Sequence, residues 1–226
     1  MRVVAGVLTH NAVMHGRVEW LRAAVLALGE ADEVVAVDNG STDGTADIVA
    51  KWGGYCYRAA DGNHCCGRGM SVTMAACVGA GADLVVFAND DVVYRPGWRP
   101  RVEAWWSDAP DSLLITSGLL EDDYPWNAVV RAVDLGGQRG LVRRSAPGGA
   151  WTFRARDWPL VWPLRPRLLG DEEHGRDDVA ACERLETWGY NVAQVDWADH
   201  LGEDASTWGN RSHAYRRPLD RARWGL

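Results

Sequence analysis

Apolar and polar positions alternate in blocks along the first 93 residues. Val3 to Leu8 is an unbroken apolar run that ends in Thr9-His10-Asn11. Glu33-Val34-Val35-Ala36-Val37 is a second run, closed by Asp38-Asn39-Gly40, and Leu84-Val85-Val86-Phe87-Ala88 is a third, ending in Asn89-Asp90-Asp91. Short continuous runs of this kind predict strands buried on both faces. Between them the spacing becomes helical. Val18 to Leu28 carries Trp20, Leu21, Ala24, Val25 and Leu28 on one stripe with Gly29 as a stop, and Thr45 to Trp52 carries Ala46, Val49 and Trp52. Met70 to Val78 is apolar enough for a packed helix, and Tyr55 to Arg58 reads as a further strand. Strand and helix in alternation predict a parallel sheet built from βαβ units.

From residue 95 the alternation weakens. Trp98 to Trp106 predicts a helix, with Pro100 in its first turn where proline is tolerated. Leu113 to Leu120 predicts a strand, Asp177 to Trp188 a helix stopped by Gly189, and Asn191 to Val195 a last strand. Residues 121–175, rich in Pro, Gly, Trp and Arg, yield few elements. No repeat or low-complexity linker divides the chain. The expectation is one domain over residues 1–204, with a first half (1–93), a second half (94–204) and an Arg-rich tail (205–226).

Composition narrows the chemistry. The 226 residues are 47% hydrophobic and 24% charged, which excludes disorder and a simple coiled coil. No apolar window is long enough for a spanning helix. Of the 24 cationic side chains only Lys51 is a lysine, and no Gly-Lys-Ser/Thr sequence for a P-loop occurs. Phosphate charge would therefore be met by Arg, by backbone N–H groups or by a metal. The net charge of −7 is lopsided: residues 1–130 hold 17 acidic and 9 basic side chains, whereas residues 131–226 hold 14 and 15. The five cysteines form no CxxC pair, and the N-terminal apolar run is too short for a signal peptide, so a reducing, cytoplasmic compartment is expected.

Three polar clusters follow three predicted strands, and in an open parallel sheet the ligand crevice lies beyond the strands' carboxyl ends. Each cluster alone is also ordinary turn chemistry; three in a row point to one site. The block Val35-Ala36-Val37-Asp38-Asn39-Gly40-Ser41-Thr42-Asp43-Gly44-Thr45 resembles the nucleotide-binding signature of family 2 glycosyltransferases, which have the GT-A fold. The resemblance implies an α/β, Rossmann-like domain with a mixed, mainly parallel sheet flanked by helices. It assigns nucleotide contact to Asp38, with Thr9, Asn11, Asn39 and Asp90 around it, and leaves Ser41 and Asp43 as structural. Asn89-Asp90-Asp91 falls at the family's DxD-like metal motif with Asn in the first place, so Asp91 is the expected ligand of Mn²⁺ or Mg²⁺.

Arg176-Asp177-Asp178, followed by Arg184 and Trp188-Gly189-Tyr190, is similar to the family's acidic helix start, and implies Asp178 as general base. Acidic residues in a first helical turn also have a purely structural explanation in the helix dipole. His200 stands at the family's late His, a metal ligand or diphosphate contact. Gly148-Gly149-Ala150-Trp151 resembles the segment bordering donor sugar and acceptor, with Gly149 closest. The implied function is metal-dependent, inverting transfer of a sugar from a nucleotide-diphosphate donor to a carbohydrate or other hydroxyl-bearing acceptor. Trp126, Trp151, Trp158, Trp162 and Trp208 are candidates for stacking on sugars, and Arg211, Arg216 and Arg217 for a lid over the phosphates. Two other classes compete: a nucleotidyltransferase making nucleotide sugars, whose Gly-rich basic N-terminal loop is missing here, and a non-catalytic glycan-binding module. A nucleic-acid acceptor is disfavoured by the overall acidity.

Overall fold

The computed structural model describes residues 1–52, 66–120, 128–146, 148–161 and 177–201; for Cys66 and residues 177–180 the backbone alone is described. The first half follows the predicted alternation: β1 (Val3–Thr9), α1 (Val18–Ala27), β2 (Glu33–Asp38), α2 (Thr45–Lys51), α3 (Cys66–Gly79) and β3 (Leu84–Asn89). Then come β4 (Val92–Tyr94), α4 (Trp98–Asp108), β5 (Leu113–Ser117), β6 (Val129–Leu135), β7 (Gln138–Arg143) and β8 (Trp151–Arg154). The order closes with α5 (Trp158–Val161), α6 (Asp177–Thr187), β9 (Asn191–Gln194) and β10 (Ala198–His200). The strand expected at Tyr55 to Arg58 and the Arg-rich tail lie outside the described residues.

Eight strands form one sheet in the order β2-β1-β3-β8-β5-β9-β7-β6, and β10 pairs with β4 in a separate ribbon. Six of the eight run the same way, and only β7 and β8 are reversed. The strand period of two sorts side chains onto the two faces. Val3, Ala5 and Val7 pack with Leu21, Ala24 and Leu28 of the α1 region and with Trp98, Val102 and Trp105 of α4. On the other face Val4, Leu8, Val35 and Val37 pack with Met70, Met74 and Cys77 of α3 and with Cys182 and Leu185 of α6. A sheet covered on both faces needs apolar side chains at every position, and β1 is buried throughout.

The second half carries elements that the sequence pattern did not reveal. β6 and β7 form a hairpin whose two-residue turn, Gly136-Gly137, has φ of +56° and +70°. Two successive positive φ values define the turn geometry that suits tight hairpins and favours glycine. β8 enters the sheet antiparallel between β3 and β5. Of the tryptophans considered for sugar stacking, Trp151 is fully buried and Trp158 stacks on Phe153 at 5.9 Å, while Trp126, Trp162 and Trp208 fall outside the described residues. Trp105 donates to Thr116 Oγ1 at 2.9 Å and meets Trp197 edge-on at 5.8 Å, so these rings are core.

Cys77 and Cys182 are buried and in no disulfide; Ala146 N–H donates to Cys182 Sγ at 3.4 Å, and burial pushes the Cys77 thiol up to about 12. No helix among the described residues is long and apolar enough to cross a membrane.

Close packing of α3 on β1 depends on Gly6. A Cβ there would lie 2.6 Å from Thr73 Cγ2 and 2.8 Å from Cys77 Sγ, both fully buried. Gly6→Ala should therefore destabilise the fold by about 1–3 kcal/mol through overpacking. The urea midpoint measures this; a midpoint equal to wild type would mean that α3 lifts away without cost.

Candidate active site

Strand register brings the three polar clusters together. Thr9 pairs with Asp38 across β1 and β2, and Leu8 pairs with Asn89 across β1 and β3. All three parallel strands thus end at one level, and their terminal residues share one crevice.

Between β1 and β2 the loops are woven by short hydrogen bonds. Asn39 N–H donates to the Thr9 carbonyl at 2.9 Å. Asn11 N–H donates to Ser41 Oγ at 2.8 Å, and Thr42 N–H donates to Asn11 Oδ1 at 2.9 Å. Asn11 holds φ +49°, the only positive φ outside glycine among the described residues; Asn tolerates the left-handed region because its short side chain bonds locally. Asp38 is fully buried; it accepts from Ser41 N–H at 3.0 Å and from the Ser41 hydroxyl. Asp43 accepts from Met14 N–H at 2.6 Å and from the Thr45 hydroxyl at 2.7 Å. Ser41 and Asp43 therefore act as loop ties, while Gly44, at φ +90°, occupies the N-cap of α2.

Between β1 and β3 the tie is ionic. Asp90 accepts from Thr9 Oγ1 at 2.6 Å and lies 3.3 Å from Arg17 Nη1, whose other arm donates to the His10 carbonyl at 3.1 Å. Burial pushes the Asp90 carboxyl up, opposed by the Thr9 hydroxyl and the Arg17 charge. Burial likewise pulls the His10 imidazole below its ordinary value, against the charge of Asp38. Arg17 was not singled out from the sequence; it stands on the loop before α1, where no periodicity marks it.

Asp91 and His200 meet although 109 positions separate them. β4 begins directly after Asp91, β10 ends at His200, and the ribbon pairs His200 with Val92. His200 Nε2 lies 3.3 Å from Asp91 Oδ2, and Leu201 N–H donates to the Asp91 carbonyl at 2.6 Å. Asp91 Oδ1 and His200 Nδ1 are both buried without a hydrogen-bond partner among the described residues. An unsatisfied buried carboxylate oxygen is costly unless a ligand completes it.

The pair fits a divalent cation. Two donors at about 2.1 Å from one octahedral ion stand roughly 3 Å apart, close to the separation found. Carboxylate oxygen with imidazole nitrogen is a donor set that suits Mn²⁺. Among the described residues no third His, Cys, Asp or Glu joins them. Any further ligands would be oxygens from substrate or water, or groups outside the described residues.

Gly149 borders the same place. Its carbonyl accepts from Asn89 N–H at 2.9 Å, and a Cβ on it would come within 3.3 Å of Leu119 and 3.4 Å of Val92. Asn89 thus serves this backbone contact. Asp178 is the second residue of α6, and its side chain lies outside what is described. The structure therefore gathers Thr9, Asn11, Asp38, Asn39, Asp90, Asp91, Gly149 and His200 at the carboxyl ends of β1–β3. A groove of about 330 Å³ at the far sheet edge, lined by Leu113, Arg131, Leu135 and Asn191, contains none of them.

Comparison with known proteins is consistent with this arrangement. The family model described as glycosyl transferase family 2 matches residues 7–130. GalNAc-T7, crystallised with UDP, GalNAc and Mn²⁺, superposes with a TM-score of 0.60 at 11% identity over 88% of this chain and 43% of its own. Residues 1–349 of TarS from S. aureus give 0.58 at 14% identity, over 90% and 61%. The mannosyltransferase PcManGT from Pyrobaculum calidifontis, in complex with GDP-Man and Mn²⁺, gives 0.51 at 14%, over 85% and 56%. The chain therefore spans less than two thirds of these structures, and at such identities the likeness speaks for the fold. No curated protein matches it.

Proposed function

The chain belongs to glycosyl transferase family 2, and from that premise we propose that it transfers a sugar from a nucleotide-diphosphate donor to an acceptor hydroxyl with inversion. Its α/β domain has the GT-A arrangement of sheet and helices. The observation that carries the reading is the Asp91–His200 pair beside the joined ends of β1, β2 and β3. The facing atoms, Asp91 Oδ2 and His200 Nε2, stand 3.3 Å apart, and the second carboxylate oxygen, Asp91 Oδ1, is buried with no hydrogen-bond partner among the described residues.

On this reading Thr9, Asn11, Asp38, Asn39 and Asp90 form the nucleotide pocket. Carboxylates there accept from base N–H groups or ribose hydroxyls through the lone pairs that Ser41, Thr9 and Arg17 leave unused. Asp91 and His200 would hold Mn²⁺ or Mg²⁺, which when bound supplies positive charge to the departing diphosphate. In a chain with a single Lys, the other sources of that charge are Arg side chains and backbone N–H groups. Gly149 leaves room for the donor sugar. Asp178 takes the acceptor's hydroxyl proton; the acceptor oxygen forms its bond to the anomeric carbon as the bond from that carbon to the diphosphate oxygen breaks, and the nucleoside diphosphate leaves.

The test is a screen of nucleotide sugars by thermal shift and by slow hydrolysis, with and without Mn²⁺. One donor should raise Tm in Mn²⁺ and be hydrolysed only with the metal. If no nucleotide sugar stabilises the protein or is hydrolysed in any metal, the transferase reading is wrong. Truncation at residue 205 with the selected donor tests the Arg-rich tail as a lid; unchanged affinity and turnover would exclude that role.

A further inference from the structure

We propose that Arg95 is a positioning residue for the Asp91–His200 pair, acting as the clamp that holds the β4–β10 ribbon in register. The proposal rests on the metal-site reading above. The two donors come from distant parts of the chain, and among the described residues the strand pairing that joins them is three residues long on each side. A two-stranded ribbon of that size does not support itself in water. At the donor end it is closed by Leu201 N–H on the Asp91 carbonyl.

At the other end the closure is made by Arg95. Its N–H donates to the Trp197 carbonyl at 2.9 Å, extending the ladder by one rung. Its guanidinium grips Asp199 with both arms, Nε to Oδ2 at 2.9 Å and Nη2 to Oδ1 at 2.6 Å. The third nitrogen, Nη1, lies 3.0 Å from Asp196 Oδ2. Trp197 fixes the start of β10 in the core, against Trp105. Asp199, the residue next to His200, is exposed, and Arg95 is the residue that grips it. A single exposed ion pair contributes little, but a planar, two-armed contact within a three-charge network is the geometry in which such pairs matter.

The sign of the effect separates positioning from plain electrostatics. Removing a cation near a metal site strengthens cation binding through the field alone. Removing a clamp leaves His200 to be ordered at the moment of binding, and weakens it. Mn²⁺ binding is to be followed by the electron paramagnetic resonance signal of the free ion, with UDP and with GDP added in turn.

Arg95→Ala should weaken Mn²⁺ binding by about tenfold, the low end for partners that orient a metal ligand, and Arg95→Lys, which keeps the charge but not the fork, should fall between it and wild type. Asp199→Asn should weaken binding to a similar extent, and the double variant should be no worse than either single one. Mn²⁺ affinity that is unchanged or tighter in Arg95→Ala would overturn the proposal. His200→Ala is the control that separates the two readings. If it leaves Mn²⁺ affinity at the wild-type value, the metal-site reading itself falls; if it weakens binding while Arg95→Ala does not, only the clamp falls.

Discussion

Asp178→Asn should lower the rate of sugar transfer by roughly 10²–10⁴-fold while donor affinity stays within about twofold of wild type. Asn matches Asp in shape but cannot take a proton from the acceptor hydroxyl. The backbone gives the position a physical rationale. Asp178 is in the first turn of α6, where the helix dipole favours an ionised carboxylate, the form that accepts a proton. α6 is anchored through Ala181, Cys182 and Leu185 in the core beneath the sheet, so its start is a firm platform. Donor Kd by calorimetry and single-turnover transfer rates make the separation. Equal losses in Kd and rate would make Asp178 a donor contact; no loss in either would remove Asp178 from the catalytic machinery.

Asp91→Ala should abolish the metal dependence of donor hydrolysis and reduce turnover by about 10²–10³-fold, comparable to removing one preorganised electrostatic contact in other active sites. Its effect on stability should have the opposite character. Asp91 Oδ1 is buried and unpartnered, and its other oxygen faces His200 at 3.3 Å, so the metal-free fold gains little from this carboxylate. Tm in the absence of metal should stay level or rise, whereas the Mn²⁺-dependent increase in Tm should vanish. This is the pattern expected where a site is kept at the expense of local stability. A large fall in metal-free Tm would identify Asp91 as a structural residue instead.

Much of the nucleotide half was legible because its strands are covered on both faces. Burial on two sides requires uninterrupted apolar runs, and the runs at β1, β2 and β3 stop one residue before the structure ends the strands. The polar clusters beyond them were visible for the same reason. Asp91 was visible in the third of these clusters, although only the family resemblance suggested a metal there; His200 was legible only through the resemblance, since β10 is three residues long and leaves no periodic trace.

The β6–β7 hairpin was missed for another reason. β6 is the edge strand, half-exposed along most of its length, and its sequence Val-Val-Arg-Ala-Val-Asp-Leu mixes charges into an apolar stretch. The Gly136-Gly137 turn was the available signal. Arg17 had none, because its role comes from meeting Asp90 across 73 positions of chain.

The insertion of β8 between β3 and β5 has a consequence for how the molecule folds. The two halves of the chain do not make two sheets placed side by side: residues 151–154 supply the strand that joins them. During synthesis β3 therefore waits, with an unpaired edge of five apolar residues and Asn89, until some 65 further residues have been made. Such an edge is a template for pairing with other chains. A fragment ending at residue 130, which is all that the family model spans, would keep that edge permanently and should aggregate. Residues beyond the recognised motif region are needed to close the sheet that carries the motifs.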